Sequence, residues 1–162
     1  MVFFDCETTG LKAIHDRIVE VCIVVVNDAL EVVDKFVTLI NPGVSMPADV
    51  SKINGITDSM LAAAPSFTAV ADKIYQLLNS QVVVGQYPIF DIEFLAEEFK
   101  RIGYPVPAYK TVLDTRQMAK RVLRLEKYSL VNIARELGIS DEQDHRAESD
   151  VLMTLAVYKR LR

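Results

Sequence analysis

The first forty residues alternate between apolar runs and polar punctuation. Val2 to Cys6, Ile18 to Val26 and Val32 to Ile40 are rich in Val, Ile and Phe, and each predicts a strand. Asn27-Asp28 separates the second from the third as a turn, so the chain opens as an antiparallel meander. The run Ile18 to Val26 is apolar almost throughout, which predicts a central strand covered on both faces. After the loop residues Asn41-Pro42-Gly43 the period changes. Phe67, Val70, Ala71, Ile74 and Leu78 line one face of a helix that Ser66 can cap. Gln81 to Val84, ended by Gly85, predicts a short buried strand, and Ile92, Leu95, Phe99 and Ile102 repeat the helical stripe with Pro88 near its first turn. Val112-Leu113 predicts a brief strand. Helices are then expected from about Thr115, from Ser129 to Leu137 with Gly138 closing it, and from about Arg146. The order βββαβαβ followed by helices predicts an α/β fold: a mixed five-stranded sheet, three strands antiparallel and two parallel, flanked by helices.

Composition narrows this to one expected domain over residues 1–162. Of the 162 residues 51% are apolar, enough for a single core without disulfides or structural metal. Cys6 and Cys22 both lie in apolar runs, no N-terminal signal pattern is present, and no apolar run reaches the roughly 18 residues of a membrane span. A reducing, cytoplasmic setting with no membrane partner is expected. The net charge of −4 argues weakly against a polyanionic partner until the chain is divided. Residues 1–100 carry 6 Lys and Arg against 14 Asp and Glu, whereas residues 101–162 carry 12 against 8. This is either ordinary surface variation or a cation-binding acidic pocket beside a polyanion-binding flank.

Three short segments carry candidate chemistry. In Asp5-Cys6-Glu7-Thr8-Thr9-Gly10, strand alternation places the Asp5 and Glu7 carboxylates on one face and Cys6 on the other. Solvated strand-end acids are the common alternative. An aspartyl phosphatase of the haloacid dehalogenase type would want a second Asp and a fitting Lys, which are missing. In Gly85-Gln86-Tyr87-Pro88-Ile89-Phe90-Asp91, the acid at a helix start is by itself explained by the helix dipole. In His145-Arg146-Ala147-Glu148-Ser149-Asp150 the histidine precedes an acid by five residues. The other histidine, His15, sits in a polar loop without partners.

Taken together, these segments and Ile53-Asn54-Gly55-Ile56-Thr57, Leu113-Asp114-Thr115 and Tyr128-Ser129-Leu130 make the chain resemble the DEDDh (DnaQ-like) 3′-to-5′ exonucleases, over almost its whole length. The resemblance implies a ribonuclease H-like fold. It implies that Asp5, Glu7, Asp91 and Asp150 hold two Mg²⁺ or Mn²⁺ ions, with His145 as general base in a two-metal hydrolysis that releases nucleoside 5′-monophosphates. Crowded carboxylates repel one another, and divalent cations with a preference for oxygen ligands relieve that cost. The resemblance also implies that Thr8, Ile53 and Asn54 hold the terminal nucleotide and that Phe90 walls its pocket.

The chain departs from the family at Gln86-Tyr87, where His-Asn is common, and at Asn54, where a histidine is common. These departures bear on substrate preference rather than on metal ligation. Arg116, Lys120, Arg124 and Lys127 recur at spacings that align them on one side of a helical segment, either as a solvated face or as a phosphate-binding ridge. Asp114-Thr115 is expected to cap a helix. The expected partner is the 3′ end of single-stranded nucleic acid, DNA ahead of RNA, in proofreading or repair beside a polymerase or helicase. The alternatives are an RNA-trimming relative and a silent nucleic-acid-binding module of the same fold.

Overall fold

A computed structural model describes residues 1–162. Strands β1 (Val2–Thr8), β2 (Ile18–Val26) and β3 (Val32–Leu39) form the antiparallel meander. Two parallel strands, β4 (Val82–Gly85) and β5 (Thr111–Asp114), extend it, giving the sheet order β3-β2-β1-β4-β5. Seven helices surround it: α1 (Ala48–Asn54), α2 (Asp58–Ala62), α3 (Phe67–Leu78), α4 (Ile89–Arg101), α5 (Thr115–Val122), α6 (Leu130–Glu136) and α7 (Ala147–Leu161). None is long and apolar enough to cross a membrane. The mixed five-stranded sheet is the one the periodicity predicts.

Strand alternation divides the core in two. From β1, Val2, Phe4 and Cys6 face α3 and α4 and pack with Ile74, Leu78, Phe94 and Phe99. Phe3 faces the other way, against Val151, Leu155 and Tyr158 of α7. Asp5 and Glu7 share the parity of Phe3, so the same pleat that buries α7 on the sheet brings α7 over the two carboxylates.

An ion pair with a buried carboxylate fixes that helix. Glu20 of β2 accepts the Ala147 N–H at 3.0 Å and is paired with the Arg146 guanidinium, so a strand side chain serves the N-terminus of α7. The opposite face has a counterpart, in which Glu98 of α4 accepts from Arg17 Nε at 2.8 Å and from Ile18 N–H at 3.1 Å.

Sequence periodicity gave no sign of α1 and α2, which follow the Asn41-Pro42-Gly43 loop and are only seven and five residues long. The basic spacing also requires a correction. Helix α5 stops at Val122, and Leu123 is extended at φ −105° and ψ 157°. Leu123 and Leu125 turn inward onto the small cluster around Leu130 and Ile133. Arg124, between them, is exposed, so Arg124 and Lys127 do not continue a helical ridge from Arg116 and Lys120.

Candidate active site

β1, β4 and β5 run parallel to one another and end at one edge of the sheet, the edge at which open α/β sheets place ligands. Asp5 and Glu7 lie at the end of β1, Gln86 and Tyr87 follow β4, and Asp114 ends β5. Helix α7 crosses this edge and carries Asp150 in its first turn. Carboxylate oxygens of Asp5, Glu7 and Asp150 come within 4.8 Å of one another.

Asp91 arrives from α4. A Cβ at Gly85 would stand 2.8 Å from the Cβ of Pro88, so glycine there lets Pro88 close on the strand end and start α4 at once. Asp91 is buried and stands apart from the group of three. Its Oδ1 accepts the backbone N–H of Cys6 at 2.9 Å, between the two β1 acids. Cys6 and Cys22 are free thiols buried in the two cores.

None of these four acids takes part in an ion pair. Burial, then repulsion from Asp91, Asp150 and Glu7, holds the Asp5 carboxyl well above its ordinary value. Glu7 is pushed up to about 8 by burial and then by Asp150, against a hydrogen bond from Asn54. Asp91 rises to about 7 through burial, opposed by backbone N–H donors. Burial also raises Asp150, opposed by Gln143 and His145. One oxygen of Asp150, Oδ1, is buried with no hydrogen-bond partner. An all-oxygen donor set, short of positive charge and with an unused lone-pair oxygen, fits Mg²⁺ or Mn²⁺.

The remaining expected residues divide into two groups. Asn54 is buried at the end of α1, donates to Glu7 Oε2 at 3.4 Å and accepts the Ile56 N–H at 3.0 Å, so it positions Glu7. Thr8 is buried and donates to Gly10 O at 2.6 Å. Ile53 is 59% exposed beside Asn54. Phe90 packs on Phe94, ring centroids 4.9 Å apart. A cleft of about 730 Å³ is lined by Asp5, His145 and Asp150 together with Tyr87, Arg116 and Lys120. Lys127 lines it too, and Arg124 does not. His145 is exposed and has a left-handed backbone, φ 53°, directly before α7. His15 is exposed in its loop. Asp114 caps α5 as expected, accepting from Arg116 N–H at 2.8 Å, and the same Oδ1 holds the Tyr87 N–H at 3.1 Å.

Sequence reasoning missed Gln143, whose side chain donates to Asp150 Oδ2 at 2.8 Å. No local pattern marks it, because its partner lies seven residues on, across an irregular turn. It also gave Tyr87 and Tyr128 no site role, although both line the cleft.

A ribonuclease H-like sheet with acids gathered at the ends of its parallel strands defines a nuclease fold. The RNase_T family, described as Exonuclease, matches residues 2–158, and the chain belongs to this 3′-to-5′ exonuclease family. It is 38% identical to the DNA polymerase III subunit epsilon of Treponema pallidum, over 96% of this chain and 73% of that protein. It is 32% identical to the 3′-5′ exonuclease DinG of Bacillus subtilis, over 97% of this chain but only 17% of that protein. Among solved structures, the zinc-bound complex of E. coli exonuclease I with single-stranded DNA superposes with a TM-score of 0.85 at 22% identity, over 99% of this chain and 39% of that one. At that identity the likeness is one of fold.

Proposed function

We propose that the chain hydrolyses the terminal phosphodiester at the 3′ end of DNA, releasing nucleoside 5′-monophosphates, in proofreading or repair beside a polymerase or helicase. The observation that carries this reading is the convergence of Asp5, Glu7 and Asp150 within 4.8 Å, none of them in an ion pair and all raised in pKa, with Asp5 and Asp150 opening on a cleft that Arg116, Lys120 and Lys127 also line. The similarity to a DNA polymerase subunit favours DNA over RNA.

Asp5, Glu7, Asp91 and Asp150 would hold two Mg²⁺ or Mn²⁺ ions, and their unused charge is what such a pair requires. When bound, the ions supply the positive charge on which phosphoryl transfer draws. His145 lines the same cleft as Asp5 and Asp150, exposed to solvent, where it can accept a proton from water. The water oxygen bonds to phosphorus, the bond to the neighbouring 3′ oxygen breaks, and that oxygen takes up a proton from solvent. Thr8, Ile53, Asn54 and Phe90 would receive the terminal nucleotide, Asn54 through its place beside Glu7. Arg116 and Lys120 would meet backbone phosphates.

The test incubates the protein with single-stranded DNA, matched RNA and duplex ends in Mg²⁺, Mn²⁺ or excess chelator. Release of 5′-monophosphates from DNA with either ion, and none in chelator, is the expected result. Full turnover in chelator would overturn the metal assignment. Binding without release under every condition would point to a silent binding module, and preference for RNA to the trimming alternative.

A further inference from the structure

We propose that the wall of the cleft built by Tyr87, Arg116, Lys120 and Tyr128 is a stacking subsite for the nucleotide on the 5′ side of the scissile phosphate. The proposal rests on the exonuclease reading above and adds to it a contact that reaches beyond the terminal nucleotide. Two aromatic rings stand on this wall, each with a cation over it. The Arg116 guanidinium carbon lies 5.2 Å from the centre of the Tyr87 ring, and Lys120 Nζ lies 5.9 Å from that of Tyr128. Ring plus cation is the combination that grips an unpaired base and its phosphate.

The wall is built to hold these rings in place. Tyr87 has φ 59°, a left-handed backbone that residues with a β-carbon seldom adopt, and the Asp114 carboxylate that caps α5 also holds its N–H. The residue remains 45% exposed. Gln86 ties the two tyrosines together: its amide donates to Tyr128 O at 3.1 Å and its carbonyl accepts from Thr115 Oγ1 at 2.7 Å. The cations are free for a ligand. Arg116, Lys120 and Lys127 form no ion pair, although Glu126 also lines the cleft, and Arg116 Nε is a buried donor without a partner.

Position assigns the nucleotide. Asn54 and Glu7 are bonded to each other and neither lines the cleft, whereas Tyr87, Arg116, Lys120 and Tyr128 line it together with Asp5, Asp150 and His145. If the terminal nucleotide sits by Asn54, the strand it is cut from continues toward Tyr87.

The experiment measures binding by fluorescence anisotropy in excess chelator, so that no turnover intervenes. The probes are 5′-fluorescein-labelled dT4 and the same oligonucleotide with an abasic residue second from its 3′ end. The wild-type protein is expected to prefer the intact probe by about 5- to 150-fold, the range of one base stacked on one aromatic ring. Tyr87→Asn removes the ring with a residue that tolerates a left-handed backbone, and it should bring that preference close to one. Tyr87→Phe should restore it. An unchanged preference in Tyr87→Asn, or no binding of dT4 by the wild type, overturns the subsite. Monophosphate release in Mn²⁺ is scored separately, so failure of the hydrolysis reading is distinguishable from failure of the subsite.

Discussion

Neutralising one acid of the cluster should stabilise the metal-free protein, and Glu7→Gln is the cleanest case. Gln is nearly isosteric and can still accept the Asn54 amide at the position of Glu7 Oε2. The Glu7 carboxyl is raised from 4.5 to about 8 by burial and by Asp150. A carboxyl raised in the folded state keeps a proton that the unfolded chain releases. Its contribution is therefore fully present below 4.5 and is lost progressively as pH rises toward 8. At pH 7 the span above 4.5, at ~1.36 kcal/mol per pH unit, amounts to about 3.4 kcal/mol. Glu7 is only partly buried and shares its repulsion with Asp150, Glu20 and Asp91, so about 2 kcal/mol is the working figure. Gln titrates in neither state and escapes this cost. In chelator at pH 7, Glu7→Gln should melt roughly 4 to 8 °C above wild type for a chain of this size. The difference should vanish near pH 4. Saturating Mn²⁺ should close or reverse it, because an ion that binds only the folded wild type adds stability. Calorimetry at pH 4 and 7, with and without Mn²⁺, measures all three. A variant no more stable than wild type at pH 7 in chelator, or a gap that persists at pH 4, would refute the reasoning.

Replacing His145 by Ala should lower kcat by roughly 10² to 10⁴ while leaving the Mn²⁺-induced rise in Tm intact. Loss of that rise, as expected for Asp5→Ala, would make the histidine a ligand. Arg116→Ala and Lys120→Ala should each weaken oligonucleotide binding and reduce the salt slope by about 0.7 per lost phosphate contact, with Arg124→Ala unchanged because it lies off the cleft. An equal loss in Arg124→Ala would restore the continuous ridge. Arg146→Ala leaves Glu20 buried with the Ala147 N–H but no counter-charge, and should cost about 2 to 3 kcal/mol in urea unfolding. A cost below about 0.5 kcal/mol, the scatter of an ordinary surface substitution, would mean that the pair does not hold α7.

What was legible in the sequence was what repeats locally. Alternation in β1 placed Asp5 and Glu7 together, and the stripes of α3 and α4 are long enough to declare their period. Asp150 could be tied to them only through the family resemblance, because its approach depends on α7 packing across the sheet. Periodicity misled at Arg124, where the basic residues keep helical spacing past Val122, the end of α5. There Leu123 and Leu125 alternate inward, and their burial outweighs the helical continuation. Helices α1 and α2 are too short to display a stripe. Gln143 and the Tyr87 to Arg116 contact depend on chain segments meeting across turns, which no residue pattern records.

The Glu20 to Ala147 link also has a consequence for how the molecule comes into being. Three acids belong to the first 91 residues, but the fourth is held by a helix whose start is pinned to a strand 127 positions earlier. A nascent chain emerging from the ribosome can complete its meander, and even β4 and α4, long before Asp150 has been synthesised. On the assignment proposed for Asp150, nuclease competence would be withheld until α7 docks, and a polypeptide interrupted anywhere before that helix would carry most of the acids yet leave nucleic acid intact.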